Sequence, residues 1–384
     1  MIITEKSQKP KKPAIRFDGF VDPWERRKVI DVAPLQRGFD LPTSQMKKGP
    51  YPVVMSNGIG GYHSKYKVKG PGVITGRSGT IGKVHYVKDN YWPHNTSLWV
   101  TDFCGNYPKF VYYLYQRLDL SFFGTGSGVP TLNRNDVHDA EVFVPTFEEQ
   151  VCISTQLDNL NTLITLHQSK YDKLVNIKKS MLEKMFPRDG ADVPEVRFTG
   201  FTGAWERRKL FEIAEFNPKS ELPNEFEYVD LESVVGTEMI SHRTEKKNSA
   251  PSRAQRLAKT GDVFFQTVRP YQRNNHLFSK SDTNYVFSTG YAQMRPKIDA
   301  HFLMSFLQTD DFVNVVLENC TGTSYPAINS NDLSKLEITL PMSCEEQKQI
   351  GETISNLDNL IVLHQRKLEK LKNIKKSMLE RMFV

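Results

Sequence analysis

Two stretches of the chain place apolar residues at alternating steps of four and three. In the first, Ile153, Leu157, Leu160, Ile164, His167, Tyr171 and Leu174 follow that spacing; in the second, Ile350, Ile354, Leu357, Ile361, His364, Leu368 and Leu371 repeat it. A mean step of about 3.5 residues returns each side chain to one face of a helix, and Lys, Glu, Asp and Asn fill the outer positions. Both stretches therefore predict long helices with a coiled-coil seam. Pro187 ends the first, because proline lacks an amide hydrogen and disfavours helix at the residue before it. About 40 residues at 1.5 Å each predict a rod of roughly 60 Å.

Elsewhere the period shortens. Apolar runs at 52–55, 72–75, 83–87 and 97–100, divided by Gly, Asn and Pro clusters, predict strands joined by tight turns, as do 261–265 and 285–287 in the second half. One helix-like run follows in each half, at 109–118 and 301–317.

The chain is internally duplicated. An offset of 197 aligns 148–186 with 345–383 without a gap, and 24 of the 39 positions are identical. An offset of 181 matches 13–28 to 194–209, both ending in Trp-Glu-Arg-Arg-Lys, and an offset of 196 matches 125–136 to 321–332, both opening on Thr-Gly. Between these frames, 29–124 and 210–320 share little, which is the pattern of one scaffold carrying two divergent inserts. Two seams of equal length predict that the helices pair with each other. The linker 187–194 leads from the first helix into the second half, so a symmetric second helix returns and the pair is antiparallel. The expected organisation is a basic tail at 1–13, a globular half at 14–145, a helix at 146–187, a linker and second half at 188–341, and a helix at 342–384. The predicted class is α/β (α+β), with a pseudo-two-fold internal repeat.

Composition narrows the function. The chain has 384 residues, 39% of them hydrophobic, and a formal charge of +7, which suits a polyanionic partner. Cys104, Cys152, Cys320 and Cys344 lie far apart with no C-x-x-C pair, which argues against a zinc site or disulfide framework and fits a reducing cytoplasm. No apolar run reaches the length of a membrane span.

The turns carry groups suited to DNA. Tyr62, His63, Lys65 and Lys67 form one cluster, Arg77, Ser78, Thr80 and Lys83 a second, and Arg269, Tyr271, Gln272, Arg273, Asn274, Asn275 and His276 a third. Arg and Lys pair with guanine, Asn and Gln with adenine, and backbone amides with phosphate. His167 and His364 stand in the seam, where a polar residue more often fixes register than binds a metal. Trp24, Arg26 and Arg27 with Trp205, Arg207 and Arg208 repeat despite the divergent inserts, which points to a shared surface, either inter-domain packing or partner docking.

Two motif matches fail on context. The run 122–126 fits the F-x-G-x-G pattern of S-adenosylmethionine-binding strands, yet it leads toward Pro130 and the second half lacks it. The run 76–84 imitates a P-loop but has Val84 where Ser or Thr should hold magnesium. Paired carboxylates and Ser/His/Asp arrangements with informative spacing are missing too, so no catalytic residue is expected.

The whole pattern resembles the specificity subunit of type I restriction-modification systems. The resemblance rests on the Phe-x-Gly-Phe-x-x-x-Trp-Glu-Arg-Arg-Lys openings (17–28 and 198–209), the Thr-Gly to Asn-x-x-Asp blocks, and Glu-Glu-Gln, Leu-His-Gln and Ile-Lys-Lys-Ser-Met-Leu-Glu in both helices. It implies two target recognition domains separated by an antiparallel coiled coil, each reading half of a bipartite site in double-stranded DNA. It also implies two modification (methyltransferase) subunits that bring S-adenosylmethionine, and restriction (endonuclease and translocase) subunits that bring ATP and magnesium. The subunit itself would bind no cofactor, lie on no membrane and catalyse nothing. The alternatives are a stand-alone, repressor-like DNA-binding module and a coiled-coil adaptor that binds no DNA.

Overall fold

The repeated Trp-Glu-Arg-Arg-Lys segment is a strand, which its composition does not announce. In the computed structural model, Glu25–Lys28 pairs antiparallel with Glu141–Val144, in a register that sets Glu25 opposite Val144 and Lys28 opposite Glu141. Glu206–Lys209 pairs in the same way with Glu337–Leu340. Each insert is thus bracketed by a two-stranded clasp. The structure describes residues 12–125, 130–188, 190–282, 284–322 and 324–384. Most of the expected basic tail and part of each Thr-Gly block fall outside the described residues.

The chain forms two units, Met1–His167 with Lys367–Val384, and Gln168–Arg366. In the first, a four-stranded antiparallel sheet runs in the order Leu35–Arg37, Ser97–Val100, Gly72–Gly76, Val84–Val87. A three-stranded sheet of Gly58–His63, Tyr51–Met55 and Trp92–Pro93 accompanies it, its last pair parallel. The second unit repeats this plan. Its first sheet orders Ala214–Phe216, Tyr291–Pro296, Val263–Gln266 and His276–Leu277, and its second orders Arg243–Lys246, Glu225–Val229, Tyr285–Ser288 and Ala254–Leu257. Inserts with little sequence in common therefore share a topology, to which the second adds the strand Ala254–Leu257.

The helical run at 109–118 is the helix Pro108–Arg117, with proline in its first turn, where a missing amide hydrogen is harmless. The run expected at 301–317 is two helices, Ala300–Phe306 and Asp310–Glu318. The break falls at Thr309, whose hydroxyl accepts from Phe312 N and whose successors Asp310 and Asp311 favour a new helix N-terminus.

The long helices are Phe147–Lys184 and Cys344–Arg381, each of 38 residues. Ile153, Leu157 and Leu160 are buried, as are Ile350, Ile354 and Leu368, while Ile164, His167, Leu174, Leu357, Ile361, His364 and Leu371 are half-buried. The seam is thus the shielded face of both helices along most of their length. Within the first unit the start of one helix and the end of the other share a core: Ile153 and Leu157 pack in one cluster with Met382 and Phe383. Within the second unit Met185 and Phe186 pack in one cluster with Ile350 and Ile354. The helices run in opposite directions through each unit.

Both cores close on the same aromatic trio. Phe383 stacks on Phe110 at 5.4 Å between ring centres and meets Trp24 edge-on at 6.3 Å. Phe186 meets Trp205 edge-on at 6.1 Å and lies 5.6 Å from Phe302. Trp24 and Trp205 are buried, so both tryptophans sit in the cores that hold the helix ends.

Candidate nucleic-acid interface

The second and third polar clusters are one structural loop in two copies. In the first unit it follows Gly72–Gly76, where Leu132 N donates to Arg77 O (2.7 Å) and Gly79 N to Pro130 O (3.1 Å). In the second it follows Val263–Gln266, where Ile328 N donates to Thr267 O (3.0 Å) and Arg269 N to Pro326 O (2.8 Å). The repeated Thr-Gly block is therefore a backstop that meets the divergent loop of each insert with the same backbone bonds. Gly76 permits the first turn, since a Cβ there would lie 1.7 Å from Thr80 O. Arg77, Ser78 and Thr80 are half-buried and Lys83 is exposed.

In the second copy the backbone is strained. Arg269 and Arg273 flank the turn Pro270–Gln272 with φ of 54° and 55°, a left-handed conformation uncommon for residues with a Cβ. Side chains of the same run hold it there. Asn275 Oδ1 accepts from Gln266 N (2.8 Å), Gln266 Nε2 donates to Gln272 Oε1 (2.9 Å), and Asn274 Oδ1 accepts from Gly236 N (2.9 Å). Arg273 donates to Gln308 O (3.0 Å) and to Asp310 Oδ1 (2.6 Å). His276 donates from Nδ1 to Thr237 O (3.0 Å), and burial holds its pKa below the usual imidazole value. What remains outward is Arg269, stacked 4.4 Å over the Tyr325 ring, with Tyr271 and Gln272 exposed.

The first cluster divides similarly. Tyr62, Lys65 and Lys67 are exposed, and the Lys67 ammonium lies 5.2 Å over the Trp92 ring. His63 is buried, accepts on Nδ1 from Lys47 N (3.0 Å) and meets Trp92 edge-on. Burial sets His63 and Asn275 apart from the other clustered polar residues. Both are buried and bonded within the fold, so base contact would require breaking a structural bond.

Topology also locates positions the sequence did not flag. Arg243–Lys246 occupies in the second unit the place of Gly58–His63 in the first, and Lys246, Lys247 and Arg253 are exposed beyond it. Arg243 is ion-paired with Asp230 (2.6 Å) and Glu245 (2.8 Å). Tyr325, 64% exposed, was hidden in the Thr-Gly block. The available signal was the basic content of 242–253 and a tyrosine where the first copy has Val129.

Of the frame arginines, Arg26, Arg207 and Arg208 are exposed and Arg27 is half-buried, and all four hold local partners. Arg26 pairs with Glu141 and Arg27 donates to Asp31 O (2.8 Å). Arg207 donates to Gly190 O (2.9 Å) and Arg208 pairs with Glu206 (3.0 Å). Two further pairs, not anticipated, are deeper: Arg16 with Glu149 and Arg197 with Glu346, each guanidinium meeting both oxygens of a buried carboxylate. Among the described residues no group of three or more His, Cys, Asp and Glu is placed to hold a metal, and no helix is long and apolar enough to cross a membrane.

Fold and site together define a duplicated α/β frame that presents two unlike inserts. The chain belongs to the type I restriction modification DNA specificity domain family, whose model matches residues 21–176 and 204–373, one match per repeat. It is 24% identical over 288 residues to the type I restriction enzyme MjaVIII specificity subunit of Methanocaldococcus jannaschii, covering 66% of this chain and 64% of that protein. It is 20% identical over 292 residues to the EcoDI specificity subunit of Escherichia coli, covering 68% and 65%. The matches thus span just under two thirds of those relatives. The crystal structure of a type I restriction-modification S subunit from M. genitalium matches with a TM-score of 0.66 over 97% of this chain and 99% of that one, at 16% identity, a likeness of fold.

Proposed function

We propose that this chain is the DNA-reading subunit of a type I restriction-modification complex, each insert reading one half of a bipartite site and the paired helices setting the spacing. The observation that carries this reading is the equivalence of the two loops at 77–83 and 267–275. Unrelated sequences are held on the same scaffold by the same backbone bonds, so the exposed side chains can differ between halves while their placement does not. Lys65, Lys67 and Lys83 in one unit, and Arg269, Lys246 and Lys247 in the other, supply phosphate and base contacts. Linking two weak readers raises affinity through effective concentration when the spacer matches the DNA.

Methylation and cleavage belong, in this reading, to modification and restriction subunits, which would hold S-adenosylmethionine, ATP and magnesium. Exposed Leu163 and Leu166, repeated as Leu360 and Leu363, lie outside the seam and suit docking of partner helices. Exchange of residues 210–320 for the insert of another family member tests the whole assignment. Sequencing of modified adenines after expression with modification subunits should show one half-site changed and the other retained. A change in both halves, or in neither, overturns it.

A further inference from the structure

The second unit contains a cavity of about 710 Å³ bounded by Thr237 and the strand Glu238–Met239, the strand His276–Leu277, the helix Ala300–Phe306 and the second long helix. The internal repeat accounts for this space, because the corresponding walls of the first unit carry larger side chains. Tyr107 N donates to Gln150 Oε1 and Asp299 N to Gln347 Oε1, which aligns the helices that follow and makes His301, Met304 and Ser305 the counterparts of Lys109, Tyr112 and Tyr113. Val73 faces Tyr86 across its strand pair where Val263 faces Leu277. On the long helices the offset of 197 pairs Asp158 with Ser355 and Asn161 with Asp358.

In the first unit these positions are filled. Tyr86 and Tyr112 meet at 5.8 Å, Tyr112 and Tyr113 at 4.9 Å, and the Lys109 ammonium lies 4.1 Å over the Tyr86 ring. The Tyr113 hydroxyl donates to Asp158 Oδ1 (2.5 Å) and accepts from Asn161 (2.7 Å). In the second unit three phenol rings are replaced by Leu277, Met304 and Ser305, and the space they would occupy is the cavity. Its wall keeps a carboxylate, Asp358, moved by one helical turn from the Asp158 position, but the chain supplies no phenol to meet it.

We propose that this cavity binds a small neutral phenol, a six-membered aromatic ring bearing a hydroxyl group. Leu277, Met304, Ile354 and Val362 provide apolar walls for the ring, and Ser355 and Asp358 provide hydroxyl partners. Both carboxylates of the wall are already matched, Asp358 by Lys178 and Glu238 by Arg366, and the Lys280 ammonium donates to the Tyr285 hydroxyl (2.6 Å), so a neutral ligand suits the wall better than a cation. The volume lies within the usual range for small-molecule sites.

The test is titration of the full chain with p-cresol, followed by ligand-observed NMR and calorimetry. One saturable site is expected with a Kd on the order of 1 mM, about what so few atoms can reach. Ser305→Tyr and Leu277→Tyr each return a ring present in the first unit, and each should weaken binding by about ten-fold or more while the chain still unfolds cooperatively. Non-saturating binding to the native chain overturns the proposal, and so does unchanged affinity in whichever filled variant folds.

Discussion

Arg16 and Glu149 are joined by two hydrogen bonds of 2.8 Å each, from Nε and Nη2 to the two carboxylate oxygens, across 133 residues of sequence. Glu149 is buried at the start of the first long helix, and the guanidinium reaches both of its oxygens there. Arg197 and Glu346 repeat the arrangement in the second unit. Glutamine follows each glutamate and spans the same junction, Gln150 donating to Pro145 O (3.0 Å) and Gln347 to Pro341 O (2.8 Å). The Glu-Glu-Gln repeat is therefore a joint between insert, frame and helix.

Removing one arginine leaves a buried carboxylate without its partner. Arg16→Ala and Arg197→Ala should each destabilise the unit that contains them by about 2–3 kcal/mol, below the full cost for a buried pair because the guanidinium keeps some water. Urea denaturation followed by tryptophan fluorescence checks this, with Trp24 and Trp205 reporting on the two cores.

Acidification should destabilise the fold before the carboxylates titrate. Burial lowers the pKa of His85, His138 and His276, and His138 Nε2 must also stay unprotonated to accept from Leu35 N (2.8 Å). Their folded values lie below the unfolded value, so as pH falls through about 6.5 the unfolded chain takes up protons that the folded chain refuses. Stability is full above that pH and declines below it, by at most about 1.4 kcal/mol per pH unit for each histidine. Melting curves between pH 8 and 5 should show this slope, and His276→Gln should flatten it.

Arg269→Ala should relax base preference in one half-site by about 1–3 kcal/mol and leave the other half intact. Lys65→Ala should weaken binding to all sequences alike and reduce the slope of log affinity against log salt by about 1. Competition binding with randomised half-sites separates the two behaviours. Asn275→Ala is expected to act through loop stability, lowering the melting temperature together with affinity.

Leu163→Asp with Leu360→Asp places charge on exposed helix positions, so stability should change by no more than about 0.5 kcal/mol. Assembly with modification subunits should be lost in sedimentation velocity. Retained assembly would move the docking surface elsewhere.

Much of this architecture could be read before any coordinates, because heptad spacing and a gapless 39-residue repeat are properties of sequence alone. The strand at Trp-Glu-Arg-Arg-Lys could not, since its partner lies more than a hundred residues away and four charged residues show no alternation. The common topology of the inserts was hidden for a related reason: backbone pairing, and not side-chain identity, carries it. In the loop after Val263–Gln266, residue type failed to separate Asn275, which bonds backbone inside the fold, from Gln272 at the surface. Both are amides suited to adenine, and only burial distinguishes them.

The clasp of Lys28 with Glu141, and of Lys209 with Glu337, has a consequence for inheritance. Residues facing each other on an antiparallel ladder are about 5 Å apart, so each insert leaves and rejoins the frame through neighbouring points. Any foreign segment whose own ends lie that close, and that returns an aromatic ring to the place of Phe110 or Phe302, can be spliced between them without disturbing the long helices. Recombination between relatives at these two strand pairs would exchange one insert at a time and keep the remainder of the protein in working order.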